Sequence, residues 1–302
     1  MSTDARASLP RAPLGADADA HATPPSDGGE GGEQAPPAAK PRGILASIGR
    51  TGLDGLGGVR DLYSIFVRTL YYVFRGRRAK GALAEQMYAI GNKSLFFVTF
   101  TMGCIGMIMV YQATMQTKKV VPELSLVGAS YMQLVVRDFA ASIGAMMLAT
   151  RVGAGIAAEI GSMVVTEQVD ALRMCAADPV DYLVVPRFLA SLVMTVALLV
   201  WAGVVMFSTG MLTGYVVYDI ELATFANPVM VNAGDVVVGL AKCVAYGAAI
   251  PIVSAHSGLT TFGGSEGVGW ATTRAVVNSS LAVIVLNFFI STAGLMAFPP
   301  VK

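Results

Sequence analysis

Long apolar stretches, separated by short polar links, follow one another along the chain from residue 94 to near its end. A helix needs about 20 predominantly apolar residues to cross a bilayer. Five stretches reach that length, and three of them contain no charged residue. The five predicted spans are residues 94–117, 124–150, 188–218, 236–265 and 275–301. This pattern predicts an all-α integral membrane protein with about five membrane helices.

The first predicted span contains two glycines, Gly103 and Gly106, near its middle. A glycine in a helix interior costs up to about 1 kcal/mol relative to alanine. Two paths are therefore open for this segment. It either crosses the membrane completely, or it follows a re-entrant path that enters and leaves the bilayer on the same side.

Two regions with a different pattern precede the spans. Residues 1–42 are rich in Pro, Gly, Ala and Asp and contain almost no large apolar side chains, which predicts a disordered cytoplasmic tail. Residues 43–92 combine apolar positions at helical spacing with many arginines. This stripe predicts an amphipathic helix in the headgroup layer; packing of the stripe on protein is the alternative. Residues 93–302 form the predicted transmembrane domain.

Positive charges set the predicted orientation, because the cytoplasmic links of membrane proteins are enriched in Lys and Arg. The segment before the first span is rich in arginine, and the link between the second and third spans holds Arg151, Arg173 and Arg187. The link between the third and fourth spans contains acids but no Lys or Arg, whereas Lys118 and Lys119 are exceptions to the rule. We therefore expect a cytoplasmic N-terminus and a periplasmic or otherwise extracytoplasmic C-terminus.

Three charged residues fall inside the predicted spans: Arg137 and Asp138 in the second, and Lys242 in the fourth. A charge near the bilayer centre costs at least about 2.5–3.5 kcal/mol, so it normally faces protein or a watery cavity. Arg137 and Asp138 either line such a cavity or neutralise each other as a structural pair. Lys242 either lines the same cavity or extends its ammonium group to the membrane surface.

The link between the second and third spans predicts a short amphipathic helix over residues 154–175 on the cytoplasmic side. One broad face of this helix carries acids and methionines at helical spacing. The helix should end before Asp178-Pro179, because the residue before a proline is disfavoured in the α region. A solvated connecting helix and a docking surface are both compatible with the pattern. The face comprises Glu159, Met163, Thr166, Glu167, Asp170 and Met174.

Composition and motifs limit the classes of function. Only 14% of the residues are charged and the mean hydropathy is +0.61, so much of the surface does not face water. The formal net charge of +1 gives no indication of a nucleic-acid partner. The two histidines and three cysteines lack metal-ligand spacing, and we expect no cofactor in this chain. The sequence contains no GxxxxGK[ST] nucleotide-binding loop and none of the common hydrolase motifs.

Three stretches carry a resemblance to a known family. The most specific is AAEIGSMVVTEQVDAL, followed by DPVDYLVVPR, in the link after the second span. ATTRAVVNSSLAVIVLNFF at 271–289 and GRTGLDGL at 49–56 add to it, so that the resemblance covers about residues 43–298. These stretches resemble the MlaE/YrbE family, the permease subunits of Mla- and Mce-type ABC systems that move phospholipids or other lipids across the cell envelope.

The resemblance implies a homodimeric permease of the inner membrane with a lipid substrate; a heterodimer of two related permeases is the alternative. It also implies a separate cytoplasmic ABC ATPase, which binds the ATP and Mg²⁺, and an MCE-domain lipid-binding protein on the opposite side of the membrane. By the same resemblance, the helix over 154–175 is a coupling helix that docks on the ATPase. The residues that this assignment covers are Glu159, Met163, Thr166, Glu167 and Asp170.

The resemblance further implies a lipid cavity lined by Arg137, Asp138 and Lys242. The family commonly has Arg-Glu-Leu-Gly-Pro in the second span, where this chain reads RDFAAS. The Arg-acid pair is present with a shorter acid, but the Gly-Pro is absent, which leaves the local backbone shape open. Lys242, in GLAKCV, matches a basic position of the family.

The main alternative function is an ion-coupled secondary transporter in which Asp138 and Lys242 form a relay for protons or ions. Many such transporters are built from internal repeats, and none is evident in this sequence. Dependence of transport on ATP separates the two alternatives.

Overall fold

The computed structural model describes residues 44–75, 81–120 and 125–298, so the predicted tail over 1–42 lies outside the described residues. Nearly all of the described residues are helical, and no strand occurs among them. The α-helices are α1 (Ile44–Arg75), α2 (Ala82–Val120), α3 (Ser125–Leu134), α4 (Ala140–Leu148), α5 (Ala154–Val165), α6 (Gln168–Met174), α7 (Val185–Tyr218), α8 (Leu222–Phe225), α9 (Ala233–Leu259) and α10 (Gly264–Ala297).

The chain divides between Gly49 and Arg50 into two compact units. Of the first unit, residues 44–49 are described, and they are helical. Within the second unit, α1 exposes large aromatic side chains such as Tyr63 and Phe74. The position of α1 in the headgroup layer stays a prediction, and exposed aromatic side chains are what such a helix requires.

Five helical stretches are long and apolar enough to cross a membrane, as the hydropathy pattern predicts. At 1.5 Å per residue, these stretches of 27 to 40 residues measure about 40 to 60 Å, which exceeds the hydrocarbon core of a bilayer. The prediction of an all-α membrane protein with five spans is therefore confirmed. The spans are Leu83–Lys119, Leu126–Val165, Val180–Tyr218, Ala233–Leu259 and Gly264–Ala297.

The first span is one unbroken helix, α2, so the structure supports the complete crossing rather than the re-entrant path. One of its two central glycines, Gly106, allows close packing. A Cβ atom added at Gly106 would collide with the backbone carbonyl of Met206 in α7. The helix begins at Ala82, inside the region that the sequence pattern assigns to the headgroup layer, because its polar first turns continue the same helical backbone.

The second span is a continuous helical stretch in which two turns depart from α geometry. α3, α4 and α5 follow one another and are separated by π-helical turns at Val135–Phe139 and Ala149–Gly153. A π turn accommodates one extra residue and often occurs at a functional site. The first π turn contains Arg137 and Asp138, so the backbone at RDFAAS takes this shape.

Most contacts between the spans involve α7 or α9. α7 packs against α2 and α9, and α9 also packs against α5 and α10. The interior between these helices is apolar and includes the fully buried side chains of Leu148, Leu199, Met206 and Tyr246. α10 leaves most of its surface uncovered, since only 11% of its most apolar segment is buried.

The prediction of a single helix over residues 154–175 is wrong, because the segment forms two helices, α5 and α6. α5 continues the second span without interruption and ends at Val165. Glu167 then adopts a φ of 59°, in the left-handed region, which interrupts an α-helix. Two β-branched residues, Val165 and Thr166, precede it and have low helix propensity, so the chain breaks here at little cost.

Candidate functional site

Two ion pairs connect the first π turn of the second span to helix α9 of the fourth span. Nη1 of Arg137 lies 2.6 Å from Oδ1 of Asp235, and Nζ of Lys242 lies 2.5 Å from Oδ1 of Asp138. Asp235 and Lys242 stand at positions i and i+7 of α9 and so share one face of that helix. The three predicted site residues are thus brought together, but as members of two separate pairs.

The burial and pairing of these side chains exclude two of the roles predicted for them. Only 1% of the Lys242 side chain is exposed, so its ammonium does not extend to the membrane surface and that alternative is wrong. Arg137 and Asp138, neighbours in sequence, do not pair with each other either. Each instead pairs with a side chain of α9, so every buried charge has an opposite charge at contact distance. This arrangement meets the requirement for charge inside a bilayer.

Asp235 belongs to the site, although its sequence position indicates only an acid in the link before the fourth span. Its side chain is 2% exposed and accepts hydrogen bonds from Arg137, from Nε2 of Gln133 at 3.2 Å and from the backbone N–H of Asn232 at 3.1 Å. Asn232 and Asp235 form a reciprocal capping box at the start of α9. An Asn followed three residues later by an acid before an apolar run is a helix-start signal that could have placed Asp235 inside the span.

An apolar groove of about 360 Å³ lies beside the ion pairs, between the second, third and fourth spans. It is walled by apolar side chains with one serine, and its lining does not include Arg137, Asp138 or Lys242. This groove is therefore not the predicted cavity with all three charges in its wall, and that cavity stays a prediction. The charges lie one or two positions along the same helices from the lining. Lining residues include Val136, Ala140, Leu199, Phe207, Gly239 and Leu240.

Glu159, predicted to dock on the ATPase, forms an ion pair within this chain. Its Oε2 accepts hydrogen bonds from Nη2 of Arg187 at 3.0 Å and from Nε at 3.2 Å. Arg187 lies at the start of α7, is 8% exposed, and also donates from Nη1 to the carbonyl of Leu183 at 2.8 Å. The Glu159 side chain is 52% exposed, so the pair ties the end of the second span to the start of the third at the protein surface.

The other predicted coupling residues lie around the break between α5 and α6. Thr166, Glu167 and Asp170 are exposed, whereas Met163 is half-buried. Asp170 pairs with Arg173 at 3.1 Å within α6, and both side chains are about two-thirds exposed. These acids therefore stand at a surface and are available to a partner, although they do not share one continuous helix.

Helix α1 contacts the chain just beyond α6. The phenol of Tyr72 donates a hydrogen bond to Oδ2 of Asp178 at 3.0 Å, and this bond raises the pKa of Tyr72. Oδ1 of Asp178 accepts a bond from the backbone N–H of Val180 at 2.9 Å, at the start of the third span. The carboxylate of Asp178 thus connects the N-terminal helix to the link between the second and third spans.

The groove and the ion pairs provide groups that can bind a ligand. Within the described ranges, no group of three or more His, Cys, Asp or Glu side chains is placed to hold a metal ion. The groove offers an apolar wall, and the adjacent ion pairs offer charges and hydrogen-bonding groups. Such a combination suits a molecule that has both an apolar and a charged part.

The chain is similar to known permeases over most of its length, and residues 83–293 match the family model described as Permease MlaE. A probable ABC transporter permease protein of Synechocystis sp. is 38% identical over 226 residues, 73% of this chain and 84% of that protein. One of Rickettsia bellii is 33% identical over 250 residues, 82% of this chain and 92% of that protein. The Arabidopsis thaliana protein TRIGALACTOSYLDIACYLGLYCEROL 1, chloroplastic, is 32% identical over 214 residues, 69% of this chain and 60% of that protein. The chain therefore belongs to the MlaE permease family and is a multi-pass ABC transporter permease.

Proposed function

We propose that the chain is the membrane-spanning subunit of an ABC transporter that moves a lipid across the cell envelope. One observation carries the proposal: the apolar groove and the two ion pairs lie side by side within the bundle of spans. Acyl chains require an apolar wall without specific hydrogen bonds, whereas a phosphate requires a few cationic or N–H donors. The groove is suited to the first, and Arg137 and Lys242 are suited to the second.

The name of one relative supports an apolar, lipid-like substrate. The name of the Arabidopsis relative contains that of a glycolipid, trigalactosyldiacylglycerol. The groove agrees with this, because a volume of about 360 Å³ accommodates part of an acyl chain but offers few hydrogen-bonding groups. A soluble polar substrate would leave most of its hydrogen bonds unmade there.

Energy for this transport comes from a separate cytoplasmic ATPase that binds the ATP and Mg²⁺. The sequence has no nucleotide-binding loop of its own. The exposed acids around the break between α5 and α6, Glu167 and Asp170, form the docking surface for this partner. Because α5 continues the second span, movement of the docked ATPase acts on the same helical stretch that carries Arg137 and Asp138.

The proposal also covers the orientation of the chain and two further subunits. The chain lies in the inner membrane with its N-terminus in the cytoplasm and its C-terminus in the periplasm, in agreement with the arginines of the links. A second permease copy completes the transmembrane unit, and the largely uncovered surface of α10 is available for it. An MCE-domain protein on the extracytoplasmic side exchanges the lipid.

The test is reconstitution of the purified complex into vesicles that contain a labelled phospholipid. We expect lipid movement that requires ATP and that falls at least about tenfold in Lys242→Met, because loss of a buried charge partner is costly. Lys93→Met, which removes an exposed lysine of α2, is the matched control and should transport normally.

Two outcomes would contradict the proposal. Movement driven by a proton or sodium gradient without ATP would support the ion-coupled transporter with its Asp138–Lys242 relay. Absence of lipid movement under both conditions, from a complex that still hydrolyses ATP, would exclude a lipid substrate.

A further inference from the structure

A second apolar groove, of about 450 Å³, lies between α2 and α7, and its lining is distinct from that of the groove beside the two ion pairs. Its side chains are exposed, for example Ile108 at 61% and Val216 at 67%. Inside a bilayer, such an apolar surface is covered by acyl chains or by another protein. The lining includes Met107, Ile108 and Tyr111 of α2 and Leu212 and Val216 of α7.

Two lysines mark the edge of the bilayer at the far end of α2. The charge-free stretch of this helix, residues 94–117, measures about 36 Å at 1.5 Å per residue, and the hydrocarbon core is about 30 Å thick. Lys118 and Lys119 follow this stretch directly, in the last turn of the helix. They therefore lie at headgroup level at the edge opposite to Lys93, which is the extracytoplasmic edge in the predicted orientation.

Three contacts place the ammonium group of Lys118 beside the groove. Nζ of Lys118 lies 4.4 Å from the ring centroid of Tyr218. The phenol of Tyr218 donates a hydrogen bond to the backbone carbonyl of Tyr111 at 3.2 Å, and the two tyrosine rings are 6.1 Å apart. Tyr111 lines the groove, and Tyr218 directly follows the lining residue Val217. The cation thus adjoins the apolar wall at its headgroup end.

Neither lysine is neutralised by an acid of the described ranges. The ion pairs found there do not include Lys118, Lys119 or Asp219, the acid that follows Tyr218. An ammonium group that rests on an aromatic face keeps its other N–H groups for an anion. The helix dipole also favours lysine in the last turn, yet that effect requires no contact with α7. The contact with Tyr218 therefore leaves a cation open to an anionic group beside the groove.

We propose that the groove and Lys118 together bind a membrane lipid with a net negative headgroup, at a site separate from that of the transported molecule. An acyl chain lies against Ile108 and Val216, and the phosphate accepts hydrogen bonds from the ammonium group of Lys118. Lys119 adds positive charge at the same level, which favours a net negative headgroup over a zwitterionic one. A lipid fits this surface better than a protein, because the apolar and cationic parts follow one another along the membrane normal as the two parts of a lipid do.

The test is photolabelling of the purified complex in phosphatidylcholine vesicles. The probes are phosphatidylglycerol and phosphatidylcholine that carry the same photoreactive acyl chain, used in equal amounts. We expect phosphatidylglycerol to label the peptides around Ile108 and Val216 about fivefold more than phosphatidylcholine does, the ratio expected for one additional charge contact near a membrane surface. Mass spectrometry of the peptides locates and quantifies the labels.

Three variants separate the two parts of the site. Lys118→Gln should remove most of the preference for phosphatidylglycerol, because it removes the cation and leaves the groove unchanged. Val216→Trp fills the groove and keeps both lysines, so labelling at Ile108 by both probes should fall. Lys93→Gln removes an exposed lysine from the opposite end of α2 and is the matched control, which should keep the wild-type preference.

Two results would overturn this inference. Equal labelling by the two probes, or a preference that persists in Lys118→Gln, would show that the groove holds lipid without selecting its headgroup. A groove that neither probe labels in the assembled complex would show that another protein covers it. Neither result bears on the proposed lipid transport, which is measured separately through its requirement for ATP.

Discussion

The ion pairs between the second and fourth spans and those of α5 and α6 differ in how far each partner is buried. Asp235 and Lys242 are almost completely buried, whereas Glu159 is 52% exposed although its partner Arg187 is 8% exposed. Both members of the pair within α6 are about two-thirds exposed. A charge that water cannot reach depends on its partner, while an exposed pair contributes little to stability. Exposed acids thus remain available to another protein.

The largest expected loss of stability follows removal of a buried charged partner within the spans. Asp235→Leu leaves Arg137 without its carboxylate, and we expect it to lower the free energy of unfolding by about 3–5 kcal/mol. Unfolding of the purified protein in mixed detergent micelles measures this change. The double variant Arg137→Leu, Asp235→Leu is the control and should recover most of the loss. A double variant as unstable as the single one would show that the unpaired charge is not the cause.

A somewhat smaller loss of stability is expected when a side chain is added where the first π turn packs against α9. A Cβ atom at Gly239 would collide with the carbonyl oxygen of Val136, a backbone atom that cannot move aside alone. Gly239→Ala should therefore lower the free energy of unfolding by about 1–3 kcal/mol and reduce transport. The control, Gly155→Ala in α5, places its Cβ in open space and should be neutral or slightly stabilising. Equal effects of the two variants would contradict the close contact.

Loss of the Glu159–Arg187 pair, in which only Arg187 is buried, should have an intermediate effect on the free energy of unfolding. Glu159→Ala leaves Arg187 buried and unpaired, with an expected loss of about 1–3 kcal/mol in the free energy of unfolding. Glu159→Gln should lose less, because its amide oxygen still accepts a hydrogen bond from Arg187. Thermal unfolding of the two variants side by side measures the difference. If both match the wild type, the link between the second and third spans does not depend on this pair.

The smallest effect on stability is expected at the exposed acids. Glu167→Lys should change the free energy of unfolding by less than about 0.5 kcal/mol, as for most exposed charges, and membrane insertion should be preserved. The same variant should lose its ATPase during co-purification, because the reversed charge faces the partner. Glu221→Lys, on another exposed link, serves as the control. A Glu167→Lys protein that keeps its ATPase and transports at the normal rate would show that this surface is only solvated.

Most of the fold is predictable from the sequence, because each span is an apolar stretch far longer than the interior helices of soluble domains. The path of α2 through its central glycines is less predictable, since it depends on the close packing of Gly106 against α7. The π turns have no comparable signal, because an α turn and a π turn bury the same kinds of side chains. The break at Glu167 has no local signal either, because the acids and methionines keep their helical spacing across it.

The charged members of the site were predictable only where they interrupt an apolar stretch. Arg137, Asp138 and Lys242 stand out in this way, whereas Asp235 lies in the first turn of α9, where an acid is common at a helix N-terminus. Which charges pair depends on the approach of α9 to the π turn, a contact between residues about 100 positions apart. No local pattern contains that information.

The two ion pairs also bear on the membrane potential, because they lie within the second and fourth spans. Moving one elementary charge through the full field costs about 2.3 kcal/mol per 100 mV. The four side chains Arg137, Asp138, Asp235 and Lys242 carry charges that sum to zero. A conformational change that moves them together therefore performs no net electrical work. We expect this protein to move a lipid without net charge at the same rate in polarised and depolarised vesicles.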